Sequence, residues 1–178
     1  MKWLHVSAVL LAALSAPSAR AGLIGTDVTL NYTFFGTPLR TDAFLVTSGV
    51  EITCTNGNGN ANVCFVLSAN VQTIDVGASS IAYSYTGSGA FFSRATNAFD
   101  FENLNLDGPI TSVALTTDIA GLDSTRILFT SNSVQIDMTG LFVHGPQSSF
   151  RLDLSTVPEP ASLASTCSAL AGLIAWSY

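Results

Sequence analysis

A period-two alternation running from Thr26 to Leu154 constrains this chain more than any other feature. Val28, Leu30, Tyr32 and Phe34 alternate with Thr29, Asn31 and Thr33. Val50, Ile52 and Cys54 share one face, and Ile81, Tyr83 and Tyr85 alternate with Ala82 and Ser84. Phe99 and Phe101 alternate with Asp100 and Glu102, and Val113 and Leu115 continue the theme. Val134, Ile136 and Met138, then Phe150, Leu152 and Leu154, repeat it with polar residues between. Alternation of this kind places one apolar and one polar face on each strand, as a half-buried antiparallel sheet requires. Turn residues fall between the runs: Asn56-Gly57-Asn58-Gly59-Asn60, Gly87-Ser88-Gly89, Asp107-Gly108-Pro109, Gly121-Leu122-Asp123 and Gly145-Pro146. No central stretch has a helical period, and no repeat or composition break marks a second domain. The expected fold is all-β: an antiparallel β-sandwich or jelly-roll-like domain over residues 22–156.

Charge narrows the function classes. The chain has 6 Lys+Arg against 12 Asp+Glu, and Lys2 is its only lysine. Charged residues make up 10% and apolar residues 48%, which excludes a disordered acidic tail. A nucleic-acid partner is not expected either, since phosphate-backbone binding needs clustered Lys and Arg. Polarity rests on 40 Ser and Thr and 10 Asn, that is, on neutral hydroxyls and amides.

Both ends read as addresses. Residues 1–21 combine Lys2, the apolar run Val6 to Leu14, and Ser15-Ala16-Pro17-Ser18-Ala19-Arg20-Ala21. A positive start, a short apolar core and a small-x-small ending form a secretory signal peptide. Ala19 and Ala21 fit the cleavage pocket, which makes Gly22 the mature start and signal peptidase and the Sec export machinery the first partners. Cleavage removes Lys2 and Arg20, leaving four arginines against twelve acids, a charge of −8. At the other end, Val157-Pro158-Glu159-Pro160 stops the last strand, because neither proline can donate to a ladder. Residues 161–178 carry no charge and can begin a helix after Pro160, an apolar segment barely long enough to span a bilayer and weakened by Ser165, Thr166, Cys167 and Ser168.

The segment Val157 to Leu163, with the apolar stretch ending Gly172-Leu173-Ile174-Ala175-Trp176, resembles the PEP-CTERM sorting signal of Gram-negative, exopolysaccharide-producing bacteria. The resemblance implies an exosortase-type enzyme that recognises the Pro-Glu-Pro box, with delivery to the cell surface or extracellular space. The arginine cluster that usually closes that signal is not found in Trp176-Ser177-Tyr178. Leu23-Ile24-Gly25-Thr26-Asp27-Val28, Ile74-Asp75-Val76-Gly77, Asn97-Ala98-Phe99-Asp100-Phe101 and Phe150-Arg151-Leu152-Asp153-Leu154 are among stretches similar to a recurrent domain of proteins that bear this tail. The domain organisation is then signal peptide 1–21, sandwich 22–156 and sorting tail 157–178. The implied role is that of a non-enzymatic exported surface or matrix protein associated with exopolysaccharide.

Cys54 and Cys64 flank a Gly/Asn-rich loop. In an exported chain two strands around such a loop bring the sulfurs together, so a disulfide is expected. A metal pair is the weaker alternative, because no other Cys or His lies at ligand spacing. Cys167 falls in the tail and has no expected partner.

No catalytic residue and no cofactor is expected. The body's one histidine, His144, sits beside Gly145-Pro146 in a turn, without a nucleophile motif. Asp100 and Glu102 share one strand face at a separation a glycosidase pair can have, but alternation explains them as a solvated face. Glu51 with Asp75, or Asp118 with Asp123, offers oxygen ligands to Ca²⁺, although solvated loop carboxylates are the simpler reading and no metal site is assigned. Tyr83, Tyr85, Phe91 and Phe92 form a candidate sugar-stacking platform, the alternative being burial in the core. That platform, with or without calcium, would make the chain a secreted carbohydrate-binding module instead. Asn31-Tyr32-Thr33 fits a glycosylation sequon that matters only in a eukaryotic secretory pathway.

Overall fold

Alternating sequence becomes alternating burial. β1 (Asp27–Phe34) buries Val28, Leu30 and Tyr32 and turns Thr29, Asn31 and Thr33 outward. A computed structural model describes residues 22–67, 71–87, 89–91, 96–143 and 148–157 of the chain. After β1 come β2 (Thr37–Leu45), β3 (Ile52–Thr55), β4 (Asn58–Gly59), β5 (Val71–Val76), β6 (Ser80–Thr86) and β7 (Gly89–Ala90). β8 (Asn97–Glu102), β9 (Ile110–Thr117), β10 (Ile127–Phe129), β11 (Val134–Asp137), β12 (Phe142–Val143) and β13 (Ser148–Thr156) complete the strands. Among the described residues there is no α-helix, only short 3-10 turns at Asn62–Phe65 and Ser124–Arg126. The expected signal peptide and apolar terminal helix lie outside the described residues.

The strands form a five-stranded sheet, ordered β10-β11-β8-β1-β2, and a six-stranded sheet, ordered β4-β3-β5-β6-β13-β9. β12 and β7 make a separate two-stranded ladder, and every pairing is antiparallel. This is the sandwich-like arrangement expected from the alternation. The last described strand, β13, lies between β6 and β9, in the interior of the larger sheet.

The two inner faces meet in one apolar core. Phe99, from the smaller sheet, lies 5.4 Å from both Tyr32 of its own sheet and Tyr83 of the larger one. Tyr83 stacks on Phe150 at 5.3 Å, and Phe91 meets Phe99 edge-on at 6.4 Å. The phenol groups keep their hydrogen bonds inside: Tyr83 donates to Gln72 Oε1 at 2.6 Å and Tyr32 to Asn97 Oδ1 at 2.8 Å. Burial pushes the Tyr32 hydroxyl up to about 12 and raises that of Tyr83 as well, so both remain donors at neutral pH. Among the described residues no buried side-chain nitrogen or oxygen lacks a hydrogen-bond partner, as a well-formed core requires.

Two hairpins turn through paired left-handed residues. At Asn56-Gly57 the φ angles are 51° and 79°, matching a turn type whose twist suits adjoining strands. At Phe35-Gly36 they are 55° and 76°, with Phe35 69% exposed at the tip. A phenylalanine in that conformation is unusual, and nothing in the alternation around it announces the turn.

Candidate functional site

The clearest sequence-derived feature is formed. Cys54 and Cys64 are disulfide-bonded, with Cα atoms 5.0 Å apart. Cys64, however, lies in the 3-10 turn Asn62–Phe65 rather than on a second strand. The intervening β3–β4 hairpin brings Gly59 against the bridge, where a Cβ would run into the Thr53 carbonyl oxygen and Cys64 Sγ. Glycine is therefore required at position 59 for space. The clipped turn is also tied to the other sheet. Asp42, on β2, accepts from the amides of Asn62 (2.6 Å) and Val63 (2.8 Å), and Asn62 Nδ2 donates to the Thr41 carbonyl.

The aromatic platform is corrected at Tyr83 and Tyr85. Tyr83 and Tyr85 are 2% and 3% exposed, because both continue the inward stripe of β6. Phe91 is partly buried against the core, and Phe92 lies outside the described residues. Rings packed into an interior cannot offer their faces to a sugar.

The carboxylates considered for chemistry are mostly used by the backbone. Glu51 accepts from the Thr47 amide and hydroxyl through one oxygen and from the Val76 amide through the other. Asp123 caps the turn at Ser124–Arg126, and hydrogen bonds from Thr125 hold its carboxyl below the usual range. Asp118 accepts from the Ser149 amide at 2.6 Å. Among the described residues no group of three His, Cys, Asp or Glu is placed to hold a metal ion. Asp100 and Glu102 project from the outer face of β8. Burial and then the neighbouring Glu102 raise the Asp100 carboxyl, while a hydrogen bond from Gln135 works against the rise. His144, Cys167, Ala19, Ala21, Pro158, Glu159 and Pro160 lie outside the described residues. Val157 is exposed at the end of β13. Gly22 abuts Ala78, and the next residue, Leu23, is buried and donates its amide to the Ala78 carbonyl at 2.7 Å.

The feature that residue-by-residue reading missed is a groove on the outer face of the six-stranded sheet, about 520 Å³ in volume. Register builds it from four strands. Asp75 of β5 pairs with Ala82 of β6, Ala82 with Arg151 of β13, and Arg151 with Thr116 of β9. The adjoining row runs Thr73, Ser84, Ser149. Ala82 is the only lining residue of its row without a polar side chain, and its small methyl leaves a hollow between Asp75 and Arg151. Those two residues stand two strands apart, about 10 Å by ordinary sheet spacing. The Thr73 and Ser84 hydroxyls bond each other at 3.0 Å, and Arg151 Nε donates to Asp153 at 2.8 Å. Val50 supplies apolar surface at the rim. A second hollow, about 480 Å³, lies between residues 104–109 and the Ser131–Asn132 turn. Asp107 is its one charged lining residue.

Comparison with known proteins adds no relative: no family model, curated protein or solved structure matches this chain.

Proposed function

We propose that this chain is a non-enzymatic, exported surface or matrix protein that associates with exopolysaccharide. Export through the Sec machinery would end with cleavage after Ala21. The Val157-Pro158-Glu159-Pro160 segment and the apolar helix over 161–178 would then engage an exosortase-type enzyme, with the helix as a transient membrane anchor. The body delivered in this way is a jelly-roll-like sandwich. The observation that carries the reading is the Cys54–Cys64 disulfide, since such bonds persist in oxidising compartments outside the cytoplasm. The hydroxyl- and amide-rich outer faces of both sheets agree with it, because they hydrate without strong charge.

Cell fractionation tests the proposal. The protein is expected outside the cytoplasm, lacking residues 1–21, and its surface-bound fraction should shift when Pro158-Glu159-Pro160 is replaced by three alanines. Cytoplasmic retention would refute export, and an unchanged distribution of the triple variant would refute sorting.

A further inference from the structure

We propose that the groove over Ala82 is a binding site for a short stretch of neutral polysaccharide. The inference rests on the matrix-protein reading above and supplies its missing contact. Three observations select the ligand class. First, the lining alternates acceptors, donors and hydroxyls: Asp75, Arg151, Thr73, Ser84, Thr116 and Ser149. A chain of vicinal hydroxyls can satisfy such a surface from either sense, because each hydroxyl both donates and accepts. The partly buried Asp75 has no hydrogen-bond or ion-pair partner among the described residues, so its carboxylate is available to accept from a ligand hydroxyl.

Second, the charge balance disfavours polyanions. Asp153 already occupies Arg151 Nε, and Asp75 and Asp118 sit on opposite flanks. Residues 22–156 are net acidic, with four arginines against eleven acids. Arg151 therefore acts as a hydrogen-bond donor more than as a net positive charge. Third, the groove crosses the middle of a sheet, whose strands are paired on both sides. An extended peptide cannot add there as a strand, since strand addition needs an exposed edge. The larger part of the groove's surface is apolar, Ala82 and Val50 contributing to it, and apolar surface is what the C–H faces of sugar rings need. The volume lies within the range of ordinary ligand sites.

The test is affinity electrophoresis of the full-length protein through gels containing dextran, mannan, galactomannan or soluble starch, with alginate as the polyanion. At least one neutral polysaccharide should retard the protein, and alginate should not. Ala82→Leu, which fills the hollow from an outward-facing position, should weaken retardation by about tenfold or more. Asp75→Asn should weaken it severalfold, by replacing a charged acceptor with a neutral one. Ala114→Leu, on the same face but outside the groove, should bind as wild type, and thermal melts of all three variants should confirm the fold. Retardation by none of the neutral polysaccharides would overturn the site. So would Ala82→Leu binding as wild type, or Ala82→Leu and Ala114→Leu losing binding equally. Fractionation of the same strains separates the failures. Surface-located protein that binds no neutral polysaccharide overturns the groove alone, whereas cytoplasmic retention overturns the export reading.

Discussion

The two sheets bury similar inner faces but present different outer ones. On the five-stranded sheet a single register row carries Leu128, Gln135, Asp100, Asn31 and Thr41 across all five strands. Every position in that row holds a side chain that extends beyond Cβ, and Thr41 donates to Asn31 Oδ1 at 2.7 Å. On the six-stranded sheet the corresponding kind of row contains Ala82, and the surface sinks there. The hollow lies over one small residue among larger polar neighbours, with Val50 of the β2–β3 connection at its rim. The polar ring around the hollow comes from strand pairing, which aligns residues far apart in sequence.

Perturbing the shared core should have the largest effect, because both surfaces depend on it. Phe99→Ala removes the ring that touches aromatic residues of both sheets. It should cost about 3–5 kcal/mol of stability, measured by denaturant unfolding with the disulfide intact. A loss below about 1 kcal/mol would mean that the sheets are held together elsewhere.

Opening the disulfide comes next and should act unequally on the two sheets. Replacing both Cys54 and Cys64 by serine should cost about 2–3 kcal/mol for a loop of this length. Hydrogen exchange should then rise first at Asn62, Val63 and the β2 edge, where Asp42 holds the clipped turn. Uniform acceleration over β6 and β13 as well would contradict that order.

The smallest expected effect is a pH dependence confined to the five-stranded face. The Asp100 carboxyl is raised in the folded state, so the native chain holds this proton to higher pH than the unfolded chain does. Its stabilising contribution is full below the ordinary aspartate range, near pH 4, and is lost as pH rises through the folded value. Asp100→Asn should remove that loss and flatten the Tm profile in mildly acidic solution. Asp123 has the opposite sign: its lowered carboxyl stabilises above the ordinary range and loses that contribution as pH falls. A Tm profile unaltered by Asp100→Asn would rule out the assignment.

Much of the fold was legible from residue order because the central strands obey alternation. β1, β6, β8, β11 and β13 each bury the stripe their sequences suggest. β2 escaped notice because, at a sheet edge, its inward positions include Arg40 and Asp42, which break the apolar stripe. β5 hides Gln72 in the same way, since its amide is needed by the Tyr83 hydroxyl. Val50 looked like part of β3 but is exposed, and the strand begins at Ile52. The Cys pairing was legible because local spacing and a Gly/Asn loop decide it. The groove was not, since its polar lining consists of ordinary outward Ser, Thr and charged groups. Only the pairing register of β5, β6, β13 and β9 assembles them.

The clipped turn also bears on how the molecules pack when crowded. One side of the sandwich has its β2 edge covered by Asn62–Phe65 through Asp42 and the Thr41 carbonyl. The other side is where β9 and β10 meet, each at the edge of its sheet among the described residues. Growth of a fibre by strand-to-strand addition needs an open edge on both sides of every copy. A strand added along β2 would have to displace the hydrogen bonds that Asp42 and the Thr41 carbonyl make with Asn62 and Val63. The cross-linked turn thus guards the middle of the β2 edge against strand-to-strand addition.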